Sequence, residues 1–308
     1  MKKLSIVVPC YNEQENVYDF YQETQKYVKE IQAEIEFVFI DDGSKDQTLS
    51  ILRDLANHDE NVNFISFSRN FGKESAILAG FHYATGDAVI LMDVDLQHPP
   101  SLIPIMWKYY EEGYDQVIGK RNRKGEGFWR RHLTNLYYKV ANQLVEISIT
   151  NGVGDFRLLS RRALNAVLKM SEYNRFSKGL FAWIGFHEKL IEYDNQVRMD
   201  GNGKWSFKSL LNYGIDGVLS FNTKPLRVAI HGGTYITIAG FIYIFLTLIN
   251  YFLHGIETPG YFTTISAIII LGGVQLLFLG IIGEYIGRIY CEIKDRPHYL
   301  IQEKRVKE

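Results

Sequence analysis

The chain is poor in cysteine and carries almost no net charge. Only Cys10 and Cys291 occur in 308 residues, one at the end of an apolar run and one beyond the last apolar segment. We therefore expect no structural disulfide, and we interpret Cys10 as a small core residue. The formal net charge of −1 indicates no nucleic-acid partner. The sequence also has no internal repeat and no low-complexity tract, and its length allows one large or two moderate domains with ample core.

The start of the chain lacks the pattern of a signal peptide. Its apolar run, Leu4–Pro9, is too short for that purpose, and Asn12 and Glu13 follow almost at once. We expect this run to be the first strand of a domain that stays on the cytoplasmic side.

Long uncharged runs are absent from the first 225 residues and occur twice afterwards, at Gly232–Leu253 and Tyr261–Gly283. Each run is long enough to cross a hydrocarbon core of roughly 30 Å as a helix. The outer flanks carry the basic residues Lys224, Arg227, Arg288, Lys294 and Arg296, whereas the loop between the runs has neither lysine nor arginine. The sequence therefore predicts two C-terminal transmembrane helices in an inner (cytoplasmic) membrane, with both termini cytoplasmic.

Short β-rich runs alternate with amphipathic stretches over the first 120 residues. The predicted strands are Leu4–Val8, Ile35–Ile40, Val62–Phe67, Ala88–Met92 and Gln116–Ile118. The predicted helices are Asn16–Glu30, Asp46–Ala56, Lys73–Ala84 and Ser101–Glu111. Nearly continuous apolar strands alternating with helices indicate an α/β domain with a mostly parallel sheet. Ligands of such sheets bind beyond the carboxyl ends of the strands, where this chain places its polar clusters.

The most informative cluster is Asp93-Val94-Asp95-Leu96-Gln97, directly after an apolar strand. Side chains at i and i+2 leave a strand end on the same side, so the two carboxylates can converge. Oxygen ligands of this kind suit Mg²⁺ or Mn²⁺, which are commonly held by one or two carboxylates together with substrate phosphates.

Two later segments are rich in basic residues and glycine. Residues 119–131 contain six basic residues and one acid, which predicts either a solvated basic surface or a site for an anionic lipid head group. A glycine-rich loop from Arg198 to Trp205 then leads into a stretch with helical apolar spacing, typical of an interfacial helix. The predicted units are 1–197, a catalytic domain; 198–226, the loop and juxtamembrane helix; 227–289, a two-helix hairpin; and 290–308, a cytoplasmic tail.

Several motifs together resemble family 2 glycosyltransferases of the GT-A fold. They are Ser5-Ile6-Val7-Val8-Pro9-Cys10-Tyr11-Asn12-Glu13, Asp41-Asp42-Gly43-Ser44, Arg69-Asn70-Phe71-Gly72-Lys73-Glu74, Asp93-Val94-Asp95-Leu96-Gln97 and Gly154-Asp155-Phe156-Arg157-Leu158. With the two terminal apolar runs, the chain is similar over nearly its whole length to polyprenyl-phosphate glycosyltransferases, the group of bactoprenol glucosyltransferases and dolichol-phosphate mannose synthases. The implied fold is a Rossmann-like GT-A cytoplasmic domain followed by interfacial helices and two transmembrane helices.

The resemblance also implies roles for individual residues. Donor-binding positions are Pro9, Tyr11, Asn12, Glu13, Asp41, Asp42, Lys73, Asp93 and Arg198, and the metal ligands are Asp95 and Gln97. The acceptor phosphate would meet Arg121, Arg123 and Arg131, and Lys204 would close over the donor diphosphate. Asp93, Asp95, Asp155 and Lys204 form the implied catalytic set. A family-based interpretation makes Asp155 a base; our hypothesis is that it orients an acceptor arginine or a sugar hydroxyl.

The implied reaction is metal-dependent, inverting transfer of a sugar from a nucleotide-diphosphate sugar to a polyprenyl (undecaprenyl) phosphate. Mg²⁺ or Mn²⁺ is the implied cofactor, and UDP-glucose is the first choice of donor, ahead of UDP-N-acetylglucosamine and GDP-mannose. Relatives form homo-oligomers, so a tetramer is the expected assembly. Gly203 departs from the family pattern, in which many members carry serine at this position.

Two other functions remain open. A processive polysaccharide synthase would share the paired aspartates, but it usually has a Gln-x-x-Arg-Trp signature and more transmembrane segments, neither of which occurs here. A catalytically silent membrane-bound nucleotide-sugar sensor would keep donor binding without turnover. The presence of Asp93, Asp95, Gln97 and Lys204 argues against the sensor.

Overall fold

A computed structural model describes residues 1–122, 153–194, 224–254 and 260–307. The strands are β1 (Lys3–Cys10), β2 (Glu34–Asp41), β3 (Val62–Phe67), β4 (Ala88–Leu91), β5 (Gln116–Arg121), β6 (Val153–Ser160), β7 (Glu188–Tyr193) and β8 (Ile301–Arg305). The helices are α1 (Val17–Val28), α2 (Thr48–His58), α3 (Lys73–Tyr83), α4 (Ile103–Glu111), α5 (Arg161–Leu168), α6 (Ser177–Trp183), α7 (Lys224–His254) and α8 (Tyr261–Ile293). A short 3₁₀ turn, Pro100–Leu102, precedes α4.

The strands form one eight-stranded sheet in the order β7-β5-β6-β4-β1-β2-β3-β8. Strands β1 to β4 are parallel to one another where they pair, and β5 is parallel to β7. Two strands run the other way: β6 is antiparallel to β4 and β5, and β8 is antiparallel to β3. The predicted α/β fold with a mostly parallel sheet is confirmed.

Helices cover both faces of this sheet, which explains its uninterrupted apolar strands. Along β1, Leu4, Ile6 and Val8 pack into a core with α1, α2 and α4, while Val7 packs on the other face against α3. Because successive side chains of a strand point to opposite faces, a sheet buried on both sides needs an apolar residue at nearly every position. The polar loops at the strand ends are therefore the parts of this domain left to contact ligands.

The chain returns to the sheet after α8. Strand β8 pairs with β3, and Arg53 on α2 forms two hydrogen bonds to the Glu303 carboxylate. Just before β8, the Tyr299 ring stacks on Phe67 with centroids 4.9 Å apart, and its hydroxyl lies 3.1 Å from His82 Nδ1. The C-terminal segment thus forms an edge strand of the eight-stranded sheet, which the sequence patterns did not predict.

The two long helices that precede this strand have many exposed apolar side chains. Phe241, Phe252 and Leu276 are each about 70% exposed or more, at 69%, 77% and 71%. Among the helices in the ranges described above, none combines the length and the apolarity that crossing a membrane requires. The prediction of two transmembrane helices is therefore not supported by the structure.

Candidate active site

The loops after β1 and β2 are fastened to each other at the carboxyl-end edge of the sheet. Asn12 has a positive φ of 53°; its amide donates to Ser44 Oγ at 2.9 Å, and its own Oδ1 accepts from the Lys45 amide at 2.9 Å. The amide of Glu13 donates to Thr48 Oγ1 at 2.9 Å. Of the predicted donor-binding residues here, Pro9 is half-buried near the end of β1, and Tyr11 lies on the surface just after it.

The two acids at the end of β2 bind protein groups. Asp41 accepts from the Ser44 amide at 3.1 Å and from Ser66 Oγ at 2.7 Å. Asp42 accepts from the amides of Phe71 and Gly72 at 2.6 and 2.9 Å, and burial raises its pKa despite these bonds. Both carboxylates therefore shape the loops of the site, and Asp42 fixes the start of α3.

A glycine lets the same two loops approach closely. Gly43 has φ of +65°, and a Cβ added there would lie 2.3 Å from the carbonyl carbon of Arg69. Any side chain at this position would therefore be strained and would push the loop after β3 away. The Asp-Gly pair thus holds the loops after β2 and β3 together.

Lys73, the first residue of α3, links two carboxylates, Asp93 and Asp155, that the sequence analysis predicted separately to be catalytic. Its ammonium lies 2.6 Å from Asp93 Oδ1 and 2.9 Å from Asp155 Oδ2. Burial alone would raise the pKa of Asp155, but Lys73 and then Lys178 outweigh it and lower the pKa to about 2. Burial would also raise the pKa of Asp93, but the Lys73 ammonium outweighs it and the pKa is lowered. Burial would lower the pKa of Lys73, but the two carboxylates outweigh it and the pKa is raised. The structure thus brings residues from α3, β6 and the loop after β4 to one point.

His98, which the sequence analysis did not single out, supports the backbone of the loop that carries Asp93 and Asp95. His98 Nδ1 accepts from the Asp93 amide at 3.2 Å, and this geometry assigns the ring proton to Nε2. The buried ring stacks on Phe156 of β6 with centroids 4.8 Å apart. Its position between the Asp-Val-Asp-Leu-Gln motif and two prolines was the available signal, since a buried histidine in such a turn commonly serves as a backbone partner.

Asp95 and Gln97 offer oxygen atoms for a divalent cation. The backbone amide of Gln97 donates to Asp95 Oδ1 at 3.2 Å and so closes a tight turn between the two residues. Leu96 between them has φ of +55°. Arg121 Nη2 donates to Gln97 Oε1 at 3.0 Å and so orients the carboxamide oxygen. One carboxylate and one carboxamide fit a hard cation that completes its ligands with substrate phosphates and water.

Asp95 and Gln97 together offer two side-chain oxygen ligands to a cation, fewer than a divalent cation takes. Across residues 1–122, 153–194, 224–254 and 260–307, no three histidine, cysteine, aspartate or glutamate side chains gather closely enough to hold a metal ion by themselves. A cation at Asp95 and Gln97 would therefore depend on the donor for its remaining ligands.

Four of the predicted site residues lie outside the described residues: Arg123, Arg131, Arg198 and Lys204. Arg121 is described; it donates to the predicted metal ligand Gln97 and also hydrogen-bonds the Tyr193 hydroxyl. The donor-binding, metal and acceptor assignments made from the sequence therefore remain predictions.

Comparison with known proteins agrees with these motifs. The family model for glycosyl transferase family 2 matches residues 5–168, and that for a GtrB C-terminal hairpin matches residues 224–289. The putative glycosyltransferase CsbB of Bacillus subtilis (strain 168) is 57% identical over 98% of this chain and 92% of its own length. The bactoprenol glucosyl transferase of Shigella phage SfX is 41% identical over 98% of this chain and all of its own length.

Among solved structures, one similar fold is that of glucosyl-3-phosphoglycerate synthase from Mycobacterium tuberculosis, crystallised with Mn²⁺, UDP-glucose and phosphoglyceric acid. It is 19% identical, with a TM-score of 0.47 over 71% of this chain and 79% of that one.

Proposed function

This chain belongs to glycosyl transferase family 2 and is a glycosyltransferase, and we propose that it transfers glucose from UDP-glucose to undecaprenyl phosphate. The product is a lipid-phosphate monosaccharide formed with inversion at the anomeric carbon. Full-length relatives named bactoprenol glucosyl transferase support the choice of sugar and acceptor.

The observation that carries this proposal is the contact of Lys73 with both Asp93 and Asp155 at the carboxyl-end edge of the sheet. Asp95 and Gln97 lie two and four residues beyond Asp93, so the cation site proposed for them would adjoin the ion pair. A nucleotide-diphosphate sugar needs compensation of the diphosphate charge and a polar partner for the sugar, and this edge supplies both.

Asp95 and Gln97 would hold Mg²⁺ or Mn²⁺ through their oxygen atoms. The cation, when bound with the donor, would stabilise the negative charge that develops on the leaving diphosphate. Asp93 would contact the donor ribose or sugar, while His98 keeps the backbone of this loop in place through the Asp93 amide. On the donor side, the protein thus orients the diphosphate with polar groups that are already in position before the donor binds.

The acceptor needs positioning more than deprotonation. A phosphomonoester has a second pKa of about 6 and is largely dianionic near neutral pH. One of its oxygens forms the new bond to the anomeric carbon, the bond from that carbon to the donor phosphate oxygen breaks, and the electron pair leaves with the nucleoside diphosphate. No proton has to move. The pKa of Asp155, lowered to about 2, makes it a poor proton acceptor, which agrees with an orienting role.

We also propose that α7 and α8 hold the enzyme at the inner membrane with the catalytic domain on the cytoplasmic side. The support comes from the two uncharged runs, the basic residues that flank them, and the exposed Phe241, Phe252 and Leu276. Apolar surface of this extent marks an interaction with lipid or protein.

The proposed reaction is tested with the purified full chain in detergent, undecaprenyl phosphate, Mg²⁺ or Mn²⁺, and a panel of nucleotide sugars. We expect mass spectrometry to find one lipid-phosphate hexose, formed from UDP-glucose and absent after chelation. A polymeric product would instead indicate a processive synthase. Donor binding without any glycolipid would indicate a silent sensor, and either result would refute the proposal.

Substitution of Asp95 tests the metal site separately. We expect Asp95→Ala to lose metal-dependent donor binding, because a small site with two protein oxygens cannot spare its carboxylate. Isothermal titration with UDP-glucose, with and without Mn²⁺, measures this loss. Donor affinity that keeps its full metal dependence in Asp95→Ala would place the cation elsewhere.

A further inference from the structure

The end of β5 places a cation against the loop that carries Gln97. Arg121, the last residue of β5, is half-buried, and its Nη2 donates to Gln97 Oε1 at 3.0 Å. A guanidinium has five N–H donors and no acceptor, so the Gln97 atom that faces it has to be the carboxamide oxygen and not the nitrogen. Arg121 therefore fixes which way round the carboxamide of Gln97 is held.

Arg121 is itself held by β7, which runs parallel to β5. Tyr193 ends β7 and pairs in register with Arg121, and the Asn122 amide donates to the Tyr193 carbonyl at 2.9 Å. The Tyr193 hydroxyl also accepts a hydrogen bond from the Arg121 side chain. Because the guanidinium is a rigid planar fork, its two partners, Gln97 and Tyr193, fix its orientation.

The ring of Tyr193 belongs to a buried aromatic cluster with Phe156 and His98. It meets those two rings edge-on, with centroids 5.9 and 6.4 Å away, and the residue is 8% exposed. Gly119 of β5 leaves room for the cluster, because a Cβ there would lie 2.5 Å from Phe156 Cδ1 and 3.1 Å from Tyr193 Cε1. The cluster that contains His98 thus also holds the tyrosine that anchors the guanidinium.

We propose that Arg121 is a positioning residue for the divalent cation, acting through Gln97, with Tyr193 as its anchor. The inference rests on the metal site proposed above for Asp95 and Gln97. A carboxamide oxygen has two lone pairs, so Gln97 Oε1 can accept from Arg121 and still ligate a cation. Hydrogen bonds of this kind orient the ligands of metal sites, and loss of the partner typically lowers metal affinity tenfold to a hundredfold.

The sign of the effect separates positioning from simple charge repulsion. A guanidinium next to a cation site repels the cation, so charge alone predicts tighter cation binding once Arg121 is removed. Positioning predicts weaker binding, because a carboxamide without this partner can turn its nitrogen toward the cation and has to be ordered when the cation binds. Cation affinity also distinguishes this role of Arg121 from the acceptor-binding role that the sequence predicted.

Binding of Mn²⁺ to the purified full chain in detergent with saturating UDP tests this assignment, and the electron paramagnetic resonance signal of free Mn²⁺ measures it. We expect Arg121→Ala to weaken Mn²⁺ binding roughly tenfold, with Arg121→Lys intermediate because it restores a single donor. Tyr193→Phe keeps the ring, removes the hydroxyl and should give a smaller loss in the same direction. The matched control is Lys120→Ala, which removes a neighbouring cation of β5 that pairs with Glu192 at 2.8 Å and should leave Mn²⁺ affinity unchanged.

A double-variant cycle shows whether Arg121 acts through Gln97. Gln97→Ala removes the carboxamide, and in that background we expect Arg121→Ala to cause no further loss of Mn²⁺ affinity. A guanidinium that contacts the UDP diphosphate or the acceptor phosphate directly would keep its effect in both backgrounds. Thermal unfolding of each variant checks that the protein is folded.

The outcomes separate this proposal from the function on which it rests. Unchanged or tighter Mn²⁺ binding in Arg121→Ala, or an equal loss with and without Gln97, refutes the positioning role. A raised KM for undecaprenyl phosphate with unchanged Mn²⁺ affinity would assign Arg121 to the acceptor instead. Unchanged Mn²⁺ binding in Tyr193→Phe refutes the anchor alone. Wild type that binds no Mn²⁺ with UDP refutes the metal site and the role of Arg121 together, whereas wild type that binds both and forms no glycolipid refutes only the proposed reaction.

Discussion

Replacement of Lys73 by methionine tests the ion pair at the centre of the site. Methionine keeps most of the apolar stem and removes the ammonium that lies 2.6 Å from Asp93 and 2.9 Å from Asp155. The two carboxylates would then face each other without a cation between them. We expect the donor-free protein to lose stability and glycosyl transfer to fall.

The magnitude follows from the burial and pKa of Asp155. Its side chain is 17% exposed, and lowering its pKa from 3.8 to about 2 corresponds to about 2.5 kcal/mol at most. The Lys73 side chain is 46% exposed, so solvent screening reduces the net effect to about 1 kcal/mol. For a domain of this size, that loss lowers Tm by about 2–4 °C.

The pH dependence has a definite sign. Asp155 has a lowered pKa, so its contribution is complete above its ordinary pKa of 3.8 and disappears as pH falls toward about 2. Lys73 has a raised pKa, so its contribution is complete below its ordinary value of 10.5 and is lost only at higher pH. The Tm difference between wild type and Lys73→Met should therefore stay constant between about pH 5 and 9 and shrink in acid.

Thermal unfolding of wild type, Lys73→Met, Asp155→Asn and the double variant measures the coupling. We expect the double variant to be more stable than the sum of the single losses implies. Lys120→Met is the matched control, because Lys120 forms an ion pair of 2.8 Å with the exposed Glu192 and should cost less. Additive losses, or a Tm of Lys73→Met equal to that of wild type, would refute this account of the site.

Two further substitutions test the surroundings of the site. His98→Phe keeps a ring against Phe156 but removes the acceptor of the Asp93 amide. We therefore expect stability to fall by about 1–2 kcal/mol and the KM for the donor to rise. Unchanged values in unfolding and kinetic assays would contradict the role of His98. Glu303→Ala removes the exposed partner of Arg53 and should cost at most about 1 kcal/mol with glycosyl transfer unchanged, whereas a larger loss of Tm would show that β8 depends on this pair.

Local patterns predicted the parallel half of the sheet well. The predicted strand Val62–Phe67 coincides with β3, and the predicted strand Leu4–Val8 lies within β1, Lys3–Cys10. Both strands are buried on two faces, so their apolar runs are nearly continuous, and the polar residues that follow mark the strand ends. The same argument predicted that the polar loops meet at one edge of the sheet, because parallel strands that end together bring their following loops together.

Patterns within a segment could not give the contacts made between distant segments. Strand β8 reads Ile301-Gln302-Glu303-Lys304-Arg305 and has only one apolar residue, because an antiparallel edge strand gains much of its stability from backbone pairing. The contact of Lys73 with Asp93 and Asp155 joins residues 20 and 82 positions apart. The sequence could name each residue as polar and near a strand end, but the salt bridge depends on how α3 packs on β1 and β2 and how β6 pairs with β4.

In the proposed reaction, the charge at this edge calls for cations on both the donor and the acceptor side. Lys73 holds the carboxylates of Asp93 and Asp155 together, and donor and acceptor would each add phosphate charge. Asp95 and Gln97 would hold the divalent cation that compensates the diphosphate. Asp155 shares the Lys73 ammonium with Asp93. A fixed ammonium serves the acceptor better than a second metal ion would, because the attacking phosphate oxygen must stay nucleophilic. In the proposed reaction, compensation on the acceptor side therefore has to be partial, as single cationic side chains provide it.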